Sequence, residues 1–589
     1  MEQIYRDVVQ KKEAELCAWN KKSNIMGSVK LVLFFACAVI FIMLWLDPFS
    51  IVRGAAACSS LLLFFISFHI HERILRRIDV IRGLCGVAAN DVKRISGTWS
   101  TFPDTGEEYA DSGHAYATDL DIVGERSLFQ FINRTNTYHG RKSLAKALLH
   151  SEYSVEQIRK RQKAVEELRE DYEWAAYLEY LFSTIGVDDN FPQMLSEVQN
   201  EERFITFQFA NPLTWLLRIV TCAAALSALF LKSNRCFFIL GMLLLLQLSL
   251  GGIGTYRIKK YLGYTKTIAG RMAPYNLILQ EIASRKFSSV LLTDIQSCLS
   301  EAMEGIRQLT SISSHMKYMA NPIAGFLLNA VLLWDYKNAF DFQKWKQRYG
   351  GKAKEWFTAA GEFESFLSFA GLARTCDTVC LPVISEKDTK ISAVQIGHPL
   401  LANRERVCND FEMPHSIIII SGSNMSGKST FMRTAGINLV LARAGSYVCA
   451  EYMCCPVLHI VTSMRIADRT TEGISTFYSE LLRIRKMIDC AAEYKNVLFL
   501  IDEIFRGTNS VDRQKGAEGV LKRLHELGAC GMITTHDLEI CNLADETEII
   551  NYSFYEEYEG DEMYFDYQIK KGVSKTRNAE FLLKKIGIL

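Results

Sequence analysis

Four apolar runs, grouped as two close pairs, constrain this chain more than any other feature. Residues 31–46 carry no charge, with Lys30 just before them and Asp47-Pro48 at their end, close to the roughly 20 apolar residues that cross hydrocarbon. After a short turn through Arg53, residues 54–70 are apolar again, and Arg73, Arg76, Arg77 and Arg82 follow. With Lys11, Lys12, Lys21 and Lys22 ahead of the first run, those arginines predict a helical hairpin with both ends in the cytoplasm. The second pair follows Pro212 and comprises residues 213–231 and 236–253, joined by Lys232-Ser233-Asn234-Arg235. Arg218 is costly at mid-bilayer but tolerable near an interface, where its long side chain can snorkel beside Trp215. Buried helices of a large water-soluble protein are the competing reading, and length is the main discriminator. Residues 323–333 are too short to span and are expected to pack in a core.

At 589 residues the chain exceeds what one hydrophobic core organises, so several domains are expected. Lys plus Arg number 67 against 66 for Asp plus Glu, and the net charge of +1 supplies no global field for nucleic acid or anionic lipid. The 16 cysteines include adjacent Cys454 and Cys455 and the pair Cys376 and Cys380, but no paired C-x-x-C spacing. They are read as free cytosolic thiols, with no zinc. The first apolar run follows a long charged stretch and lacks a small-residue cleavage site, so it is read as a retained segment rather than a signal peptide.

The chemistry lies near the C-terminus. The β-branched run at residues 417–420 leads into Gly422-Ser423-Asn424-Met425-Ser426-Gly427-Lys428-Ser429-Thr430, which fits G-x-x-x-x-G-K-[ST] in a strand, loop, helix context. Glycines there let backbone N–H groups turn around phosphates at a helix N-terminus; Lys428 should reach the β and γ phosphates, and Ser429 should ligate Mg²⁺. Val497-Leu498-Phe499-Leu500-Ile501 reads as a buried strand opening on Asp502-Glu503. Asp502 would hold Mg²⁺ through water, and Glu503 would orient and deprotonate the attacking water. A further strand from Gly531 ends at Thr534-Thr535-His536-Asp537, which would bring His536 to the γ phosphate or that water. Alone, such a histidine is more often structural.

Taken together, these residues resemble the DNA mismatch repair MutS family, whose ATPase domain is of the ABC class. Residues 422–430 are similar to G-P-N-M-G-G-K-S-T, departing at Ser423 and Ser426. Asp502-Glu503-Ile504-Phe505-Arg506-Gly507-Thr508-Asn509-Ser510-Val511-Asp512 resembles D-E-I-G-R-G-T-S-T-x-D, departing at Phe505 and Asn509. Ile474-Ser475-Thr476-Phe477-Tyr478-Ser479-Glu480 resembles the S-T-F-M-x-E signature helix, and residues 534–536 the T-T-H switch. His398-Pro399-Leu400 and Asn409-Asp410 match the segment that opens the domain beside the nucleotide base. A weaker likeness to the family's helical core runs through Asp119-Leu120-Asp121, Asn133-Arg134-Thr135 and Arg161-Gln162. Membrane hairpin and linker are read before Asp119, so no mismatch-reading domain is expected among those residues. The Phe-x-Glu triplet at Phe554-Tyr555-Glu556 is read as chance.

The organisation expected is a cytosolic N-terminal helix (residues 1–28), a transmembrane hairpin (29–70), a linker (71–118), a MutS-like helical core (119–210), a second hairpin (211–255), a core or lever region (256–390) and an α/β P-loop, ABC-type ATPase domain (391–589). The resemblance implies ATP and Mg²⁺, with Ser475 and Thr476 acting in trans on nucleotide held by a second copy in a homodimer. It also implies DNA as a partner, which the charge balance does not support. A membrane-remodelling or signalling ATPase that binds no DNA stands as the alternative. A transporter is disfavoured because four spans with short outer loops and a single intramembrane arginine offer little pathway. The bilayer is the remaining partner, with the chain multi-pass in the cell membrane and its ATPase domain cytoplasmic.

Overall fold

The long apolar runs dictate helices before anything else, because a chain that buries few side chains must satisfy its own backbone. In the computed structural model, residues 2–46, 51–199, 210–317, 321–386, 390–423, 425–465, 476–505, 510–545, 549–559 and 562–574 are described. Among the described residues, helices are the regular elements as far as Leu372, with an irregular stretch from 102 to 127, and strands begin at Val383. Two compact units are formed by residues 1–134, 144–180 and 366–589, and by residues 135–143 and 181–365.

The first unit carries a hairpin of two helices, Glu2–Leu46 and Ile51–Ser96, of 45 and 46 residues, each about 70 Å long at 1.5 Å per residue. The residues read as a linker from 71 continue the second helix to Ser96. Ser23 Oγ meets His71 Nε2 at 3.0 Å, and Lys30 lies over the Phe68 ring at 5.3 Å. Toward the turn, Phe34, Phe35, Phe41, Leu62 and Phe65 are exposed. Both helices contain windows long and apolar enough to cross a membrane.

The opposite end of the hairpin is fixed by charge. Asp91 is fully buried and accepts from Arg134 Nη2 at 2.5 Å, while Arg134 Nη1 reaches Glu179 at 3.1 Å. Arg94 donates to the carbonyls of Phe131 and Asn133 at 2.8 and 2.6 Å, and Arg374 to that of Leu168 at 2.8 Å. Burial drives the Glu179 carboxyl up, and Arg134 opposes it. The Tyr5 and Tyr172 rings close the cluster edge to face at 5.4 Å.

The second unit holds the other hairpin, Ala210–Leu231 and Asn234–Met272. Gln247 Nε2 donates to Thr221 Oγ1 at 2.6 Å and to the Leu217 carbonyl at 3.1 Å, pairing a polar group inside an otherwise apolar seam. Lower in the unit, Trp345 Nε1 donates to the Gly305 carbonyl at 2.6 Å. A Cβ on Gly305 would stand 2.4 Å from the Trp356 ring, so close helix approach requires glycine there. The short apolar stretch expected in a core forms the helix Pro322–Leu332, but Ile323, Phe326 and Leu327 are 73%, 59% and 56% exposed. The expectation holds for the side of the stretch that carries Gly325, Ala330 and Leu333, which are buried, and fails for the side that carries these three residues.

Beyond Leu372 the first unit becomes mixed α/β. A six-stranded sheet runs in the order Lys570–Lys571, Ile550–Ser553, Ile417–Ser421, Cys530–Thr535, Val497–Asp502, His459–Ser463. All neighbours are parallel except the outermost Lys570–Lys571 pair. Helices cover such a sheet on both faces, which is why its inner strands read as unbroken apolar runs. A four-stranded sheet, in the order Val383–Ser385, Tyr452–Pro456, Ile391–Ile396, Asn409–Met413, lies in the same unit.

Candidate functional site

Where Ile417–Ser421 ends, the chain must reverse within a few residues to start the helix Lys428–Ala444. Gly422 has φ 148° and Gly427 φ 102°, backbone that favours glycine. A Cβ on Gly422 would also meet the Phe554 carbonyl at 2.9 Å. The loop opens on a cavity of about 780 Å³ lined by Ser423, Met425, Ser426, Gly427, Lys428, Ser429, Thr430, Asn409, Asp502 and Glu503. Lys428 is buried, and its Nζ donates to the carbonyls of Gly422 and Ser423 at 2.8 and 2.6 Å. The lysine therefore braces the loop that it projects from, and the N-terminus of its helix faces the cavity with a partial positive charge.

Asp502 closes the floor. Ser429 Oγ donates to its carboxylate at 2.9 Å from either oxygen, and Thr534 Oγ1 donates to Oδ1 at 2.7 Å. A hydroxyl and a carboxylate side by side form an oxygen-only donor set of the kind that suits Mg²⁺, leaving the remaining positions to water and phosphate oxygens. Glu503 adopts φ 57°, strained for a non-glycine residue by about 1–3 kcal/mol, and its N–H donates to Thr534 Oγ1 at 3.1 Å. Its carboxylate contacts His536 Nε2, and His536 Nδ1 lies 2.9 Å from the Gly422 carbonyl.

The structure thus gathers Lys428, Ser429, Asp502, Glu503 and His536 from three strand ends, although His536 stands behind Glu503 rather than in the cavity lining. Asp410 is turned away, its Oδ1 accepting from the Gln395 N–H and Nε2 at 2.9 and 3.0 Å. Asn409 lines the cavity and also ties down the C-terminal segment, donating to the Tyr567 carbonyl at 3.0 Å and accepting from the Ile569 N–H at 2.7 Å. Asn424 and Ser475 lie outside the described residues, and Thr476 begins the helix Thr476–Glu493.

Sequence reasoning missed the apolar walls. Leu401, Val407, Phe431, Phe554 and Tyr567 line the cavity, and Phe554, quoted above only as a chance triplet, packs against Phe431 at 5.9 Å. These residues share no spacing, so no pattern marks them before folding. His398 is a further wall; burial first, then Arg433 and Arg406, push it down to about 3, which keeps it neutral. Asp119 accepts from Thr462 Oγ1 and the Met464 N–H at 2.8 and 2.9 Å, and Asp121 pairs with Arg433 at 3.0 Å and Arg465 at 2.7 Å. Both carboxylates therefore hold the strand end that leads into the segment containing Ser475.

Comparison with known proteins agrees with this geometry. Residues 418–580 match the family model of MutS domain V. The DNA mismatch repair protein MutS of Thermus aquaticus is 39% identical over 148 residues, 25% of this chain and 18% of that protein. The Bacillus licheniformis protein of the same name is 33% identical over 214 residues, covering 33% and 24%. That of Aquifex pyrophilus is 25% identical over 491 residues, covering 76% and 56%. The chain thus spans less than two thirds of the length of these relatives. The matched residues are those that build the glycine loop, the strand ending at Asp502 and Glu503, and the strand ending before His536, so the likeness to MutS domain V lies in the region that holds the cavity.

Proposed function

We propose that this chain is a membrane-anchored, P-loop ATPase of the MutS type that hydrolyses ATP with Mg²⁺ between two copies of itself, in DNA mismatch repair or related DNA work. The observation that carries the reading is the continuous hydrogen-bonded path from Ser429 through Asp502 and Thr534 to Glu503 and His536 at the mouth of a glycine loop. Lys428 would exchange its loop carbonyls for phosphate oxygens. Ser429 and Asp502 would hold Mg²⁺, which neutralises developing phosphate charge when bound. Glu503 would take the proton of the attacking water, with His536 holding its carboxylate in place. Ser475 and Thr476 would complete the neighbouring copy's site. A nucleotide that binds the closed dimer better shifts the population toward it, and the helical region would pass that movement to the hairpins.

The anchor reading is supported by four helices with apolar windows that are only 6–17% buried. Glu503→Gln should retain ATP binding and lose hydrolysis; full hydrolysis in that variant would refute the assigned base. The second reading, a membrane-remodelling or signalling ATPase that ignores DNA, is favoured by the net charge of +1. Stimulation of ATP turnover by single-stranded, duplex or branched DNA separates the two, and a flat response to all three favours the second.

A further inference from the structure

The helix Pro322–Leu332 is 11 residues long and uncharged, about 16 Å at 1.5 Å per residue and too short to span hydrocarbon. Its N-terminus is capped by Asn321 Oδ1, which accepts from the N–H groups of Ile323 and Ala324 at 3.0 and 3.2 Å. Its other end is fixed by Asn329, whose side chain donates to Asp335 Oδ2 and accepts from the Asp335 N–H, both at 2.9 Å. The helix is thus firmly held, yet Ile323, Phe326 and Leu327, one face at i, i+3 and i+4, are exposed.

Its position in the unit says what covers that face. Gly325, Phe326 and Asn329 share a cleft of about 540 Å³ with Gln247, Gly251 and Gly252 of the second hairpin. Tyr336, just beyond the helix, donates its hydroxyl to the Leu250 carbonyl at 3.0 Å. The helix therefore sits level with residues 247–252, where the apolar run ends shortly before Lys259 and Lys260. Above that level the hairpin surface continues through exposed Met242, Leu245 and Leu246. Trp334 and Tyr336 follow directly, the residue types enriched at headgroup depth.

We infer that Pro322–Leu332 is a monotopic membrane element that rests Ile323, Phe326 and Leu327 in the lipid at the cytoplasmic boundary of the bilayer, beside the second hairpin. The inference rests on the proposed reading of that hairpin as membrane-spanning. A surface of this kind is an extension of the hairpin's lipid-facing surface, with its polar residues Asn329 and Asp335 bonded to each other on the hairpin side. It gives the second unit a foothold at the interface in addition to its two spans.

The test uses the full chain in phosphatidylcholine nanodiscs, with p-benzoylphenylalanine replacing in turn Phe326, Leu245 of the hairpin and Val511 of the ATPase region. After illumination, lipid adducts at 326 should match those at 245 and exceed those at 511 by about tenfold, as an acyl-chain contact demands. Lipid adducts at 245 with none at 326 would overturn the inference, and a product of twice the chain mass at 326 would assign the face to a second copy instead. If neither 245 nor 326 captures lipid, the hairpin reading fails and this inference falls with it.

Discussion

The cavity beside the glycine loop and the two hairpins invert each other. Around the cavity, polar groups are buried and paired: Lys428 bonds two carbonyls, and Asp502 accepts from Ser429 and Thr534. Along the hairpins, large apolar side chains such as Phe34, Leu62, Leu245 and Phe238 are exposed. Water tolerates neither arrangement cheaply, because an unpaired buried charge and an uncovered apolar patch both raise the free energy. Polar burial around the cavity is resolved within the chain, whereas apolar exposure on the hairpins calls for something outside it. The base of the first hairpin, with Asp91, Arg94, Arg134 and Glu179 buried together, follows the cavity's rule and not the hairpin's.

The largest expected effect separates chemistry from scaffold. Glu503→Gln should lower ATP turnover by about 10²–10⁴-fold while ATP affinity and melting temperature stay near wild type, measured by steady-state hydrolysis and nucleotide-protected unfolding. A loss of folding instead would show that the Glu503–His536 contact serves stability. Next in size, Arg134→Met removes the close partner of Asp91 and Glu179, leaving Asp91 only the 3.5 Å contact with Arg94, and should destabilise the first unit by about 3–5 kcal/mol. Unfolding by denaturant checks it, and a change below 1 kcal/mol would remove the buried cluster from the comparison.

Acid should attack the cavity wall through His398. Its ordinary value is 6.5 and its folded value about 3, so the fold favours the neutral ring. Its contribution is therefore complete above pH 6.5 and is lost as pH falls toward 3, lowering the melting temperature by about 2–4 °C for each kcal/mol withdrawn. His398→Gln should flatten that part of the profile; an unchanged slope would place the acid sensitivity elsewhere. The smallest effect belongs to the hairpin surface, where Leu62→Ala should change stability in detergent by less than about 0.5 kcal/mol. A loss of several kcal/mol there would mean that protein rather than lipid covers the residue.

Legibility followed the range of the interactions. The glycine loop, the apolar strand ending at Asp502-Glu503 and the paired apolar runs are all local patterns, set by backbone sterics at Gly422 and Gly427 and by side-chain hydropathy. Tyr567 and Phe554 reach the cavity from segments far from the glycine loop, and no spacing marks them as its walls, whereas His398 was already marked by the His-Pro-Leu match. Asp410 illustrates the converse, since its motif matched but Gln395 draws its carboxylate away. The stretch at residues 323–333 was read as core throughout, yet only Ala330, Leu333 and Gly325 are buried, because hydropathy reports that a side chain avoids water, not what shields it.

From the amino-acid order alone came the glycine loop, the carboxylate pair, the helical hairpins and the change from helices to strands along the chain, since each depends on neighbours within a turn or a strand. Tertiary structure alone decided that Asp91 and Glu179 share Arg134, that Glu503 faces His536, and that an apolar helix at residues 322–332 is left uncovered beside a hairpin. Those outcomes depend on which distant segments meet, and burial strengthens or penalises a charge only once its partner has arrived.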